Sequence, residues 1–240
     1  MKRILSTLKE KWPEYLLEIF VLIIGIYGAF EVDNWNQNRI EEESKRSMLT
    51  NLRQEFNQNK ALLISTRQGY ESTAESGIKV LKHISEKDVP EQDQSDDLIY
   101  EIAGYNSFKP HDGALLDIIN SGKVELIEND SLRSLILSFA GRVNQLNVDE
   151  VTTSKILENN LLPYLYKHHA WATMDGKKQP YKVEWPKSRF KSDLEYMYDD
   201  RYFESMIDDF TWRCFDLINQ YKELEIAIDK TLELIDSELK

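Results

Sequence analysis

Glu18 is the strongest candidate for chemistry among these 240 residues. It lies inside an apolar helix-forming run, where an ionisable side chain is costly and by default points to pairing or an ion path. Its neighbours on the same helical face are Leu22, Gly25, Ala29 and Val32, spaced 4, 3, 4 and 3. That spacing is a coiled-coil seam, and Gly25 with Ala29 forms a small-xxx-small pair that lets helices approach closely. The plainer alternative places Glu18 in the first turn and a half of a spanning helix. There it reaches headgroup water and complements the helix dipole.

A second candidate is the basic-aromatic stretch 167–191, with seven Lys or Arg against Asp175 and Glu184. Trp171, Lys177, Lys178, Lys182 and Trp185 could touch anionic lipid, a cell-wall polymer or a partner protein. The alternative is a long loop whose tryptophans pack on the end of a bundle. Other chemistry finds no support. His168-His169 and His111-Asp112 lack the spaced partners of a metal site. Glu41–Glu43 is a solvated face without the glycine and alternating Asp/Asn of a calcium loop. Phosphate-binding loop, nucleophile elbow and HExxH are all missing from the sequence. Cys214 is the only cysteine, which excludes an intrachain disulfide and a cysteine-cluster zinc site, and it falls on an apolar seam. The chain is thus expected to be non-enzymatic, with no cofactor and no metal.

These candidates must be positioned by helices. Glycine (9) and proline (6) are scarce, and 30% of residues are charged, which together with long 3.6-period stripes predicts an all-α protein. Residues 13–35 read as a transmembrane helix. The apolar run from Leu16 to Val32 has Glu18 and Glu31 near its ends and would rise roughly 25 Å, against a hydrocarbon core of about 30 Å. Trp12, Tyr15 and Trp35 bracket it as membrane-interface anchors. Gly28-Ala29 makes a poor cleavage site, so the segment reads as an uncleaved signal-anchor. Four Lys/Arg before the span and three just after it favour a cytoplasmic tail (1–12) and a bundle outside, by the positive-inside rule. The tail carries +3 and the span −4 of the net −12, which leaves −11 for the remainder. An acidic domain is a poor general partner for nucleic acid.

Gly and Pro do not occur between Gly28 and Gly69, so the helix is expected to leave the membrane unbroken, or as two abutting helices, to about residue 85. Residues 36–48 form its stalk and 49–240 a helical bundle domain. Leu49, Leu52, Phe56, Leu63 and Tyr70 are its apolar face, with Asn59 where another apolar residue would sit. An acidic linker (86–97) and helices near 95–120 follow, then a turn at 121–130. The next helix is capped by Asp130 or Ser131 and ends at Leu162-Pro163, with a possible break near Asn147. Asp175-Gly176 signals a type I′ turn, with Tyr181, Val183 and Trp185 alternating, hence a possible short hairpin near 171–186. The last helix, 200–238, carries the longest seam: Phe203, Phe210, Leu217 and Leu224 with Ile207, Cys214, Tyr221, Ile228 and Ile235. It requires a partner helix, and an antiparallel bundle supplies one.

Glu18-Ile19 followed by Gly25-Ile26, Ala29 and Asn34-Trp35-Asn36 resembles the N-terminal signature of a family of uncharacterised bacterial single-pass membrane proteins. Ser121-Gly122 through Ile127, with Leu132-Arg133, resembles a second element of that family. Tyr27 and Phe30-Glu31 depart from its pattern. The resemblance implies an anchored helical architecture and no reaction. The expectation is an interaction or accessory module of the inner membrane, partnered by the lipid bilayer and by a second copy or another membrane protein. The alternatives are a sensor or signal-relay component with a ligand-binding bundle, and an ion-coupled subunit using Glu18.

Overall fold

In the computed structural model the backbone is described for all residues except Met1, Tyr105, 179–182 and Lys187, and the side chains of 2–11 and 13–15 are likewise outside the described set. The chain is all-helical, and among the described residues no strand occurs. Helix α1 runs unbroken from Lys2 to Glu86, which decides between one helix and two. It ends in a Schellman motif: Asp88 N–H donates to His83 O (3.0 Å) and Lys87 N–H to Ile84 O (3.2 Å). Lys87 takes the left-handed conformation (φ 54°) usually given to glycine at this position.

The far end of the chain packs against the second half of α1. Helix α8 (Arg201–Glu238) buries both rows of the predicted seam, and α1 answers with Leu49, Phe56, Leu63 and Tyr70 in one heptad row and Leu52 and Val80 in the other. The register is antiparallel. Lys45 meets Glu238 (3.0 Å), Arg53 meets Asp236 (2.7 Å), Lys60 meets Asp229 (2.6 Å) and Arg67 meets Glu225 (3.4 Å). Gly77 lets the backbones close, because a Cβ there would collide with the Thr211 side chain. Helix α4 (Asp130–Ile156) completes the core through residues such as Leu132, Ile136, Phe139 and Leu146, with Phe56 and Phe139 rings 4.8 Å apart.

Shorter helices cover the remaining faces: α2 (Gln92–Ile102), α3 (Gly113–Asn120), α5 (Leu162–His168), α6 (Trp171–Lys178) and α7 (Leu194–Asp199). Several local expectations are revised. Only 87–91 links α1 to α2, because the acidic residues after Glu91 are already helical. The cap of α4 is Asn129, whose side chain accepts from Leu132 N–H (3.0 Å). That helix passes Asn147 without a break, and Pro163 does not end its course: a π turn at Leu157–Leu161 precedes α5, and the proline follows within α5. Among the described residues of 171–186 the expected hairpin does not form. Asp175-Gly176 lies inside α6, and Gly176 packs against Trp185, whose Cδ1 would stand 3.2 Å from an added Cβ. Tyr181 and Lys182 lie outside the described residues.

The expected membrane-spanning helix over 13–35 is not supported as drawn. The segment is helical, but among the described residues no helix is long and apolar enough to cross a membrane. Glu18, Glu31 and Asp33 leave an uncharged run from Ile19 to Phe30, 12 residues, or about 18 Å of helix.

Candidate functional site

Every residue from Leu16 to Glu43 is exposed, on all sides of α1, and burial begins only at Ser44 and Lys45. The exposed set includes Leu22 (59%), Ile26 (70%) and Val32 (67%). An apolar stretch this long with no covering differs from the scattered single exposure of ordinary surface residues. The seam Glu18, Leu22, Gly25, Ala29 and Val32 lies along it with no neighbour: nothing comes within 4 Å of a Cβ built on Gly25. Trp12 and Trp35 are also exposed, and the Tyr15 side chain is outside the described set. The segment is anchored at its base by Lys45. Its Nζ lies 2.9 Å from Glu128 Oε1 and 3.0 Å from Glu238 Oε2, the latter an ion-pair distance without hydrogen-bond alignment. The hydrogen bond to Glu128, then Glu238, raises the lysine's pKa above its ordinary value. Glu238 Oε1 also accepts from Asn129 N–H (2.7 Å), so the stalk's footing, the start of α4 and the end of α8 share one polar node.

Two lysines of the basic-aromatic stretch form ion pairs with α2. Lys177 pairs with Asp93 and, at 2.9 Å, with buried Asp96; Lys178 pairs with Asp97 (2.7 Å) and lies over the Tyr100 ring. These hydrogen bonds raise both lysines' pKa values, Asp93 contributing most at Lys177 and Asp97 at Lys178. Trp171 packs edge-on against Tyr166, while Trp185 keeps 44% of its surface exposed. The acidic start of α2 and the basic α6 are thus each other's counter-charges. Beneath them His169 is fully enclosed. Its Nε2 stands 3.3 Å from Asp96 Oδ1 outside hydrogen-bond geometry, so neither ring nitrogen has a hydrogen bond. Burial lowers its pKa, and Asp96 opposes that only in part.

Three buried polar groups went unrecognised in the sequence. Glu55 accepts from Ala114 N–H (2.6 Å) and Leu115 N–H (3.0 Å), capping α3 from another helix. Asn59 makes two 2.7 Å bonds to the backbone N–H and C=O of His111, which explains a polar residue on the apolar face. Glu150 accepts from Phe108 N–H (3.0 Å), Ser107 Oγ (3.1 Å) and the Tyr221 hydroxyl. Burial, then Glu150, pushes the Tyr221 pKa up. All three hold 107–115, the entry into α3, against the core; only the polar gap at Asn59 hinted at this. Beside that connection, Phe108, Pro110, Leu115, Phe139, Val143 and Asn147 line a groove of about 440 Å³.

Cys214 is buried and its thiol is pushed up to about 12 by burial, so it is no nucleophile. Among the described residues no cluster of three or more His, Cys, Asp or Glu could hold a metal. Comparison with protein-family models, with curated proteins and with solved structures finds no match.

Proposed function

We propose that this chain is a membrane-anchored helical bundle acting as a non-enzymatic interaction or accessory module, with the bundle outside the cytoplasm and the anchor self-associating. The observation that carries the reading is the all-round exposure of apolar side chains from Leu16 to Trp35. A helix that is apolar on every face needs an apolar surround, and one protein partner covers only one side. Lipid covers the others. The short uncharged run fits this if Glu18, Glu31 and Asp33 lie toward the headgroups, with local thinning of the bilayer making up the length. The N-terminal signature that resembles uncharacterised bacterial single-pass proteins supports the same reading.

Fractionation of cells expressing the full chain tests it. The protein is expected in the membrane pellet after alkaline carbonate extraction, and release into the supernatant overturns the anchor. A reporter fused after Lys240 is expected to be active only outside the cytoplasm.

One observation favours the sensor alternative: the groove beside 108–116 lies on a bundle joined to the apolar segment by an unbroken helix. A small apolar ligand bound there would be detected as a rise in the bundle's melting temperature. Glu18→Gln separates the ion-coupled alternative, since an accessory role is unaffected by it.

A further inference from the structure

We propose that the groove between α4 and the entry into α3 binds a small zwitterion with an apolar side chain, an α-amino acid of the size of leucine or phenylalanine. The inference rests on the sensor reading of this groove and is independent of the anchor. The groove's wall is fixed in advance. Residues 106–112 are not helical, yet side chains of α1 and α4 pin them at three points. The Tyr70 hydroxyl donates to Asn106 O (2.8 Å), Phe108 N–H donates to Glu150 (3.0 Å), and Asn59 bonds both backbone groups of His111 (2.7 Å each). Glu55 holds the first turn of α3 just behind them. Tyr70, Glu150, Asn59 and Glu55 are all buried. A buried polar side chain is costly unless it is bonded, and all four bond to this one stretch. A wall ordered beforehand leaves little freedom to lose when a ligand binds.

The lining sets the chemistry of the occupant. Phe108, Leu115 and Phe139 are buried apolar side chains that form the floor. The volume of about 440 Å³ falls within the roughly 300–1,000 Å³ of small-molecule sites. Around the floor stand Lys109, Asp112, Asn144 and Asn147, all exposed. Among the described residues none of these four side chains has a hydrogen bond or an ion pair. Asp112 is the clearest case. It occupies the N-cap of α3 without capping it, because Glu55 takes the N–H groups of Ala114 and Leu115 instead. Its carboxylate is left to the groove. Asn144 and Asn147 lie three residues apart inside α4, where asparagine is a poor choice for helix stability. One cation, one anion and two carboxamides around an apolar floor match a carboxylate, an ammonium and an apolar side chain carried on one small molecule. The ligand's carboxylate pairs with Lys109 and its ammonium with Asp112. An apolar acid would leave Asp112 unmatched, and an apolar amine would leave Lys109 unmatched.

Calorimetric titration of the full chain in detergent tests the site with three compounds: phenylalanine, phenylpropionate, which lacks the ammonium, and phenethylamine, which lacks the carboxylate. Phenylalanine should bind at one site per chain, and each analogue at least about ten-fold more weakly, the loss expected for one charged hydrogen bond. Asp112→Asn should weaken phenylalanine by a similar factor and not weaken phenylpropionate. Lys109→Met should weaken phenylalanine and not phenethylamine. Both side chains are exposed, so the fold tolerates either change. Ala140→Trp, at an exposed position of α4 that lines the groove, fills it and should abolish binding of phenylalanine, with chemical denaturation checking that the bundle is intact. Undiminished binding in that variant puts the site elsewhere and overturns the proposal. Equal binding of all three compounds by the wild type also overturns it, while leaving the sensor reading standing. No binding of any of the three overturns both. None of these results bears on the anchor, which carbonate extraction tests separately.

Discussion

The two halves of α1 share one unbroken helix and live in opposite surroundings. From Leu16 to Glu43 every residue is exposed, whereas Leu49, Leu52, Phe56 and Leu63 beyond them have almost no accessible surface. Both halves carry a heptad-spaced row, yet the rows fall on opposite sides of the helix. The contrast shows that an apolar period says only that a face will be covered. What covers it depends on what the rest of the chain supplies: α8 and α4 reach one half, and among the described residues nothing reaches the other. Truncation distinguishes them most sharply. Phe56→Ala removes a ring packed 4.8 Å from Phe139 and should lower bundle stability by about 3–5 kcal/mol, read by chemical denaturation. Leu22→Ala should leave that stability within about 0.5 kcal/mol. A large loss at Leu22 would mean that the exposed half does pack on the bundle.

A buried carboxyl group gives the next largest effect, within the bundle half. Glu150 is the shared acceptor for Ser107, Phe108 and Tyr221. Glu150→Ala leaves two buried donors, the Phe108 N–H and the Tyr221 hydroxyl, without a partner, at about 1–3 kcal/mol each, while exposed Ser107 can turn to water. The variant should lose at least as much stability as a mid-sized core truncation. A loss below about 1 kcal/mol would show that water satisfies those groups.

How much of this was legible varies by residue. The last helix was readable nearly to its ends, 200–238 against Arg201–Glu238, because its seam is long and Asp200 caps it through the Tyr202 N–H. The course of α1 out of the apolar segment was readable because neither Gly nor Pro falls between Gly28 and Gly69. Features set by distant partners were not. Glu55 and Glu150 meet backbone groups 42 to 60 residues away, and neither sequence neighbourhood marks them. Asp175-Gly176 misled because its turn signal is local. Here Lys177 and Lys178 hold the segment to Asp93, Asp96 and Asp97, and that tertiary charge match outweighs the turn. The same match accounts for the acidic 86–97 and basic 167–191 stretches together, which looked independent when read separately. In the apolar segment, length and aromatic flanks were visible, but among the described residues no helix is long and apolar enough to cross a membrane.

The α2–α6 contact responds to pH. Burial lowers the His169 pKa from its ordinary 6.5, so the unfolded chain takes up a proton that the folded one resists. The stabilisation from neutral His169 is complete above about pH 6.5 and is lost as pH falls below it. The bundle's melting temperature should therefore drop between pH 7.5 and 5.5. His169→Gln should flatten that drop relative to the wild type; an equal drop in both would assign the effect to other groups.

The smallest expected effect belongs to the ion-pair ladder between α1 and α8. Arg53, Lys60 and Arg67 recur every seven residues, opposite Asp236, Asp229 and Glu225. Arg53 and Asp236 are about half exposed, and pairs in that setting contribute about 0–1 kcal/mol. The ladder's importance is in alignment. An antiparallel partner shifted by one heptad would still bury apolar rows, but Lys45, held by both Glu128 and Glu238, would lose its place at the end of α8. Lys60→Met should thus cost less than about 1 kcal/mol in low salt and still less at 0.5 M NaCl, where screening removes the pair's attraction. Lys45→Met should cost more and depend less on salt, because its side chain and Glu238's are both nearly enclosed. If the two variants behaved alike, the footing of the stalk would be no firmer than the ladder above it, and the sharp change of environment along α1 would owe nothing to Lys45.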